Sequence, residues 1–231
     1  MKIAIMQPYI FPYIGYFQLI NAVDKFIILD DVNFIMKGWI NRNRILVNGR
    51  ESLFSIPIKK ASQNKFIYEC ELDENKWKDK FLKTIEHSYK KAPFYKSCIE
   101  VISSVILKDD TNLSNWLTFQ IKTICCYLEI NTDIVDSSRI YANNQLKAQE
   151  KIIDICKQEK AQIYVNAIGG KNLYNAKDFE RSNIELYFLK SKAENYSQFN
   201  VEFVPFLSII DIMMFNNKEN IKNQLKKYEL I

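Results

Sequence analysis

Histidine is almost absent from this chain: His87 is the single one in 231 residues. The five cysteines, Cys70, Cys98, Cys125, Cys126 and Cys156, contain no Cys-x-x-Cys pair, so the short-spaced His and Cys ligands of a zinc site are missing. An odd cysteine count also argues against a disulfide framework, and the thiols are expected as core groups in a reducing compartment. Glycine and proline are scarce too, five of each, which is too few for a linker-rich or disordered chain. No apolar run approaches the roughly 20 residues that a membrane-spanning helix needs. The start MKIAIMQPYIFPYIGYF is apolar, yet two prolines and several tyrosines interrupt it and no small-residue cleavage site follows a charged segment, so it does not read as a signal peptide. The expectation is a cytoplasmic protein that is not integral to a membrane, with a peripheral membrane contact left open.

Dense blocks of Lys and Arg are missing as well. The net charge of +5 and pI near 8.8 are spread along the chain, which argues against DNA as a partner. What is present is 48% hydrophobic and 26% charged residues, the balance of an ordered globular chain. The length favours one domain over residues 1–231, with a helical section at about 75–130. The sequence contains no internal repeat and no low-complexity tract; the Asn- and Lys-rich stretch 216–228 reads as a solvated helix or frayed end.

The patterning begins with a buried strand at Lys2 to Met6, a short helix around Phe17 to Val23 and a second strand at Phe26 to Leu29. A strand, helix and strand in succession form the unit of a parallel sheet, whose ligands bind beyond the strands' carboxyl ends. Asn48-Gly49 between Arg44–Val47 and Ser52–Ile58 predicts a β-hairpin, because both turn residues tolerate positive φ. From Asn75 to Ile130 apolar residues recur at three or four residue spacing, and Pro93 and Asp109-Asp110-Thr111-Asn112 divide the section into three helices. Beyond it the sequence predicts strands at Asp133 to Asp136, Gln162 to Asn166 and Ile184 to Leu189, a helix at Gln145 to Lys157 and helices from Ser208 onward. The fold class is therefore α/β, a parallel-sheet core carrying a hairpin and a mid-chain helical section.

Candidate site residues crowd at the predicted strand ends. The loop Gln7-Pro8-Tyr9 to Tyr13-Ile14-Gly15-Tyr16 is stiffened by proline, and it offers aromatic faces, hydroxyls and a close backbone approach at Gly15. Its aromatics have an alternative use as packing beneath the sheet. Asp30-Asp31 stands at a strand mouth, as a base or cation ligand, or as a loop and helix cap. Trp39-Ile40-Asn41-Arg42-Asn43-Arg44 supplies a stacking surface, two amides and two guanidinium groups within six residues. Arg42 is suited to bidentate phosphate recognition or to a buried salt bridge with Asp30 or Asp31. His87 is a candidate general base and equally a structural helical histidine. Asn166 with Gly169 and Gly170 follows another strand, Tyr196 and Gln198 add polar groups, and Ser208 reads as a helix N-cap.

QPYIFPYIGYFQLI, DDV at 30–32, WINRN at 39–43, NAIGG with Leu173-Tyr174, and LSIID at 207–211, in this order, resemble the WbqC-like family over almost the whole chain. The resemblance implies a role in bacterial O-antigen or other surface-polysaccharide biosynthesis, as a transferase moving a glycyl, other aminoacyl or acyl group onto a nucleotide-linked or lipid-linked sugar. It implies Arg42 as the phosphate or carboxylate grip, Tyr13, Tyr16 and Trp39 framing sugar or base, and Asp30, Asp31 or His87 as the base. More faintly, the opening resembles the Rossmann-like nucleotidyltransferase and pantothenate-synthetase type of fold. There an HxGH element occupies the place of Tyr13-Ile14-Gly15-Tyr16, so imidazole stabilisation of a pentavalent phosphate is lost here. A nucleotide with Mg2+ is the cofactor this second resemblance admits. The alternatives are a nucleotide-dependent ligase or nucleotidyltransferase, and a non-catalytic binding protein of a glycan-assembly complex. The sequence leaves the oligomeric state open.

Overall fold

A computed structural model of the chain describes residues 1–73, 76–199 and 202–231. In chain order β1 (Lys2–Met6) leads through a loop into α1 (Ile14–Asn21) and β2 (Lys25–Ile28). A hairpin follows, β3 (Arg42–Val47) and β4 (Arg50–Ser55), then a small ladder of β5 (Ile58–Lys59) with β6 (Glu71–Leu72). The helical section is α2 (Trp77–Tyr89), α3 (Tyr95–Ile106) and α4 (Leu113–Leu128). The remainder is β7 (Asp133–Val135), α5 (Ala148–Gln158), β8 (Ile163–Ala167), α6 (Ala176–Glu180), β9 (Glu185–Ser191), α7 (Ile209–Phe215), α8 (Lys218–Leu225) and β10 (Tyr228–Leu230).

The architecture is α/β, with a mostly parallel central sheet flanked by helices. Its strand order is β10-β9-β8-β1-β2-β7; all neighbours are parallel except the edge strand β10, which is antiparallel to β9. The chain lays β1, β2 and β7 outward in one direction, then returns to the other side of β1 for β8 and β9. This is the Rossmann-type order, and the reversal opens a crevice between the carboxyl ends of β1 and β8.

Both faces of the sheet are covered, which explains the continuous apolar runs of its strands. Ala4, Phe26 and Ile28 face a large core shared with α1, α7, α8 and the helical section. Ile3, Ile5 and Ile27 face a smaller one made with Ile152, Ile155 and Phe179 of α5 and α6. Alternation along β1 and β2 thus sends successive residues into different cores.

The local expectations meet the structure closely where turn chemistry is explicit. Asn48 and Gly49 both have positive φ, 50° and 75°, as the hairpin requires. Asn112 caps α4 by accepting the Asn115 amide at 3.0 Å. The predicted start of the helical section, Asn75, lies outside the described residues. Three expectations are corrected. The first helix begins earlier than expected, at Ile14. The stretch 216–228 is not a frayed end: Ile221, Gln224 and Leu225 of α8 are buried, and Tyr228 begins β10 against β9. Four cysteines are buried, but Cys126 is exposed on α4, because its neighbour Cys125 takes the inward position. Among the described residues no helix is long and apolar enough to cross a membrane.

Candidate functional site

Five parallel strands bring their carboxyl ends to one edge, and the residues there are held by bonds that span the chain. Asp30, just beyond β2, is fully buried. Its Oδ2 accepts from Ser114 Oγ at 2.7 Å and its Oδ1 from Ser137 Oγ at 2.7 Å and the Ser138 amide at 3.2 Å. Arg139 approaches Oδ2 at 3.6 Å. Asp31 is buried beside it, accepting from Ser138 Oγ and from Lys151 Nζ, the latter at 2.6 Å. Lys151 also donates to Asn143 Oδ1 at 2.8 Å, and both charged side chains of the pair are almost completely enclosed.

The cations that meet the two carboxylates are Arg139 and Lys151, and no salt bridge joins Arg42 to either Asp. A magnesium ion held by the pair does not fit, since Asp31 already faces an ammonium and Asp30 is filled by hydroxyls and an amide. Among the described residues no group of three or more His, Cys, Asp or Glu side chains could hold a metal ion. What the carboxylates do hold is Ser137 and Arg139, which reach the surface. Ser137 Oγ accepts from Arg139 Nε at 2.8 Å, and the guanidinium lies 4.8 Å over the Tyr68 ring, itself stacked on Phe66.

The loop after β1 is fixed from beneath. Asn43 is buried and donates to the carbonyls of Ile10 and Phe11 at 2.9 and 2.7 Å; Gln120 accepts the Phe11 amide at 2.7 Å and Ser208 Oγ donates to the Phe11 carbonyl at 2.8 Å. These bonds hold Phe11 at φ 38°, a left-handed conformation that a bulky side chain avoids without such support. Tyr9 and Tyr16 meet edge to face at 5.1 Å. Tyr16 donates to the Gln7 carbonyl at 3.2 Å, and burial raises the phenol pKa of both. They form the loop's packed floor, with Pro8 buried too. Tyr13 is half-buried, burial raises its pKa, and its hydroxyl folds into the space that a side chain on Gly15 would take. Asn41 donates to the Ile56 carbonyl at 2.8 Å. Asn41 and Asn43 are thus brackets for backbone, whereas Gln7 is half-buried directly after β1, at the strand's mouth.

Across the crevice, Asn166 is buried near the end of β8 and accepts the Ala167 amide at 2.7 Å. Gly170 lies against that carboxamide, and Gly169 faces open space. Elsewhere the structure separates what the sequence grouped. Tyr196 and Gln198 each donate to Oδ1 of buried Asp211 at 2.7 Å, and Tyr89 donates to its Oδ2 at 2.8 Å. Desolvation raises the Asp211 carboxyl against the lowering effect of those three donors. The cluster ties α7 to α2 and to the segment before α7, so the placement of Tyr196 and Gln198 is structural. Ser208 caps α7 as expected. His87 stands on the exposed side of α2, opposite the buried face of Trp77, Phe81, Ile85 and Tyr89, and not with Asp30 and Asp31.

Ser114, Ser137, Ser138, Arg139, Lys151 and Tyr68 were missed in the sequence. Two signals were there. Ser137-Ser138 follows a predicted strand just as Asp30-Asp31 does, and Lys151 sits four residues before Ile155 on the helix's apolar stripe, where a cation needs a buried partner.

The sequence profile of the WbqC-like protein family matches residues 7–223. The "Uncharacterized protein Rv1507c" of Mycobacterium tuberculosis is 29% identical over 215 residues, which cover 92% of each chain. No solved structure matches.

Proposed function

The chain belongs to the WbqC-like protein family, and from that premise we propose that it is a transferase of surface-polysaccharide biosynthesis, moving an aminoacyl, above all glycyl, or acyl group onto a nucleotide-linked or lipid-linked sugar. The observation that carries this reading is the Tyr68, Arg139, Ser137 and Asp30 assembly at the mouth of β2. A guanidinium held between the Tyr68 ring and Ser137 Oγ, and still open to solvent on its outer side, suits a phosphate or carboxylate. Ser137 Oγ lies 2.7 Å from Asp30, so a proton leaving an acceptor amine or hydroxyl has a path through Ser137 to a buried carboxylate. The acceptor then attacks the acyl carbon and the donor's carrier departs. Asp31 and Lys151 hold this assembly in place, and His87 has no part in it.

A second reading, a nucleotide-dependent ligase, draws support from the strand order, because the β1 and β8 crevice with Gln7 and Asn166 is where such sheets take nucleotides. Incubation with nucleotide-sugars and glycyl or acyl donors, followed by mass spectrometry of the sugars, tests both. Transfer predicts a mass gain on the sugar that falls on the order of 100-fold in Ser137→Ala and Arg139→Gln and persists in His87→Ala. Nucleotide turnover without a modified sugar would favour the ligase. Intact cellular function in both variants would leave a binding role in a glycan-assembly complex.

A further inference from the structure

The segment joining β2 to the hairpin carries a surface that the transfer reading does not use. The turn 35–38 is closed by the Gly38 amide donating to the Ile35 carbonyl at 2.9 Å, and it leaves Ile35, Met36 and Lys37 exposed. Trp39 follows, 48% exposed. The guanidinium carbons of Arg42 and Arg44 lie 5.7 and 5.3 Å from the centre of its ring. Both arginines project from one face of β3, and Leu53 of β4, 55% exposed, stands directly across from Arg44 on that same face. Arg44 pairs with Glu51 at 2.9 Å. Arg42 has no ion-pair partner among the described residues, and the Nε of each arginine is buried without an acceptor there.

We propose that this patch is a docking surface for an anionic membrane, with Trp39, Leu53, Ile35 and Met36 entering the interfacial region and Arg42, Arg44 and Lys37 meeting lipid phosphates. Charge complementarity selects this occupant: the patch presents three cations against one acid already paired. A nucleic acid would also meet the cations but would leave four large apolar side chains in water. An indole beside guanidinium groups is the composition that settles at a bilayer interface, where the ring lies at headgroup depth and anionic lipid attracts the charge. The inference goes beyond the transfer reading and does not depend on it.

Trp77 and Trp116, the other two tryptophans, are 9% and 0% exposed, so a change in intrinsic fluorescence on adding vesicles reports on Trp39. Vesicles of phosphatidylcholine with a minority of phosphatidylglycerol are expected to sediment with the full chain, to blue-shift its emission, and to quench it when the acyl chains are brominated. Phosphatidylcholine alone should do none of these. Arg42→Gln with Arg44→Gln should weaken sedimentation on the order of tenfold, and Trp39→Ala or Leu53→Ser should weaken it while circular dichroism stays that of the parent. The proposal is overturned if the chain stays in the supernatant with phosphatidylglycerol vesicles, or if it binds them equally well in all these variants. It is overturned too if inorganic diphosphate binds the arginines while vesicles leave Trp39 unshifted, or if gel filtration shows a dimer that Trp39→Ala dissociates.

Discussion

Lys151 and Asp31 illustrate how much a single pair decides. Both side chains are out of solvent and 2.6 Å apart, and their environment is completed by Asn143 and Ser138. Breaking such a pair strands the remaining charge, so Lys151→Met is expected to lower stability by about 3–5 kcal/mol. The double change Lys151→Met with Asp31→Leu should recover much of that loss, because no buried charge is left behind. Equilibrium unfolding in urea measures both; a loss under about 1 kcal/mol in the single variant would mean that water reaches the pair. The same reasoning explains why Asp30 and Asp31, adjacent in sequence, serve differently. Asp31 is neutralised by an ammonium, whereas Asp30 is met mainly by hydroxyls, one of which faces the outside.

Among the elements, β10 is the one whose role contradicts its composition. Lys226 and Lys227 lead into it, yet Tyr228 to Leu230 pair with Ser191 to Leu189, and Ile231 exchanges two backbone bonds with Phe188 at 2.9 and 3.0 Å. Buried Gln18 of α1 anchors the approach by donating to the carbonyls of Gln224 and Lys227 at 2.8 and 2.9 Å. A chain stopped at Lys227 should lose about 2–4 kcal/mol, at about 1 kcal/mol per backbone bond. It should also associate with rising concentration, since β9 would become an open edge. Urea unfolding and light scattering check the two effects, and a monomeric, fully stable truncation would show that β9 needs no cover. The hairpin makes the opposite case. Its turn is written in two adjacent residues, and it forms where those residues stand.

Taken as a unit, the chain encloses four of its five cysteines, and burial pushes the thiols of Cys125 and Cys156 up to about 12. Iodoacetamide should therefore add one group quickly, at Cys126, with the other four reacting only as the fold opens; mass spectrometry of the native protein counts the adducts, and Cys126→Ser should abolish the fast one. More than one fast adduct would contradict the enclosed core. The amino-acid sequence by itself determined the opening strand and helix, the Asn48-Gly49 hairpin, three mid-chain helices and the parallel character of the sheet. Each of these depends on periodicity or turn chemistry within a few residues. It also marked the edge at which Gln7, Asp30 and Asn166 lie. Only the tertiary structure decided what those residues meet: Ser114 is 84 residues from Asp30 and Lys151 is 120 from Asp31, and no local spacing encodes such pairings. It likewise turned Asn43, Tyr196 and Gln198 inward as brackets and left His87 in solvent, because a side chain's partner is fixed by how distant elements pack and not by the neighbours it has along the chain.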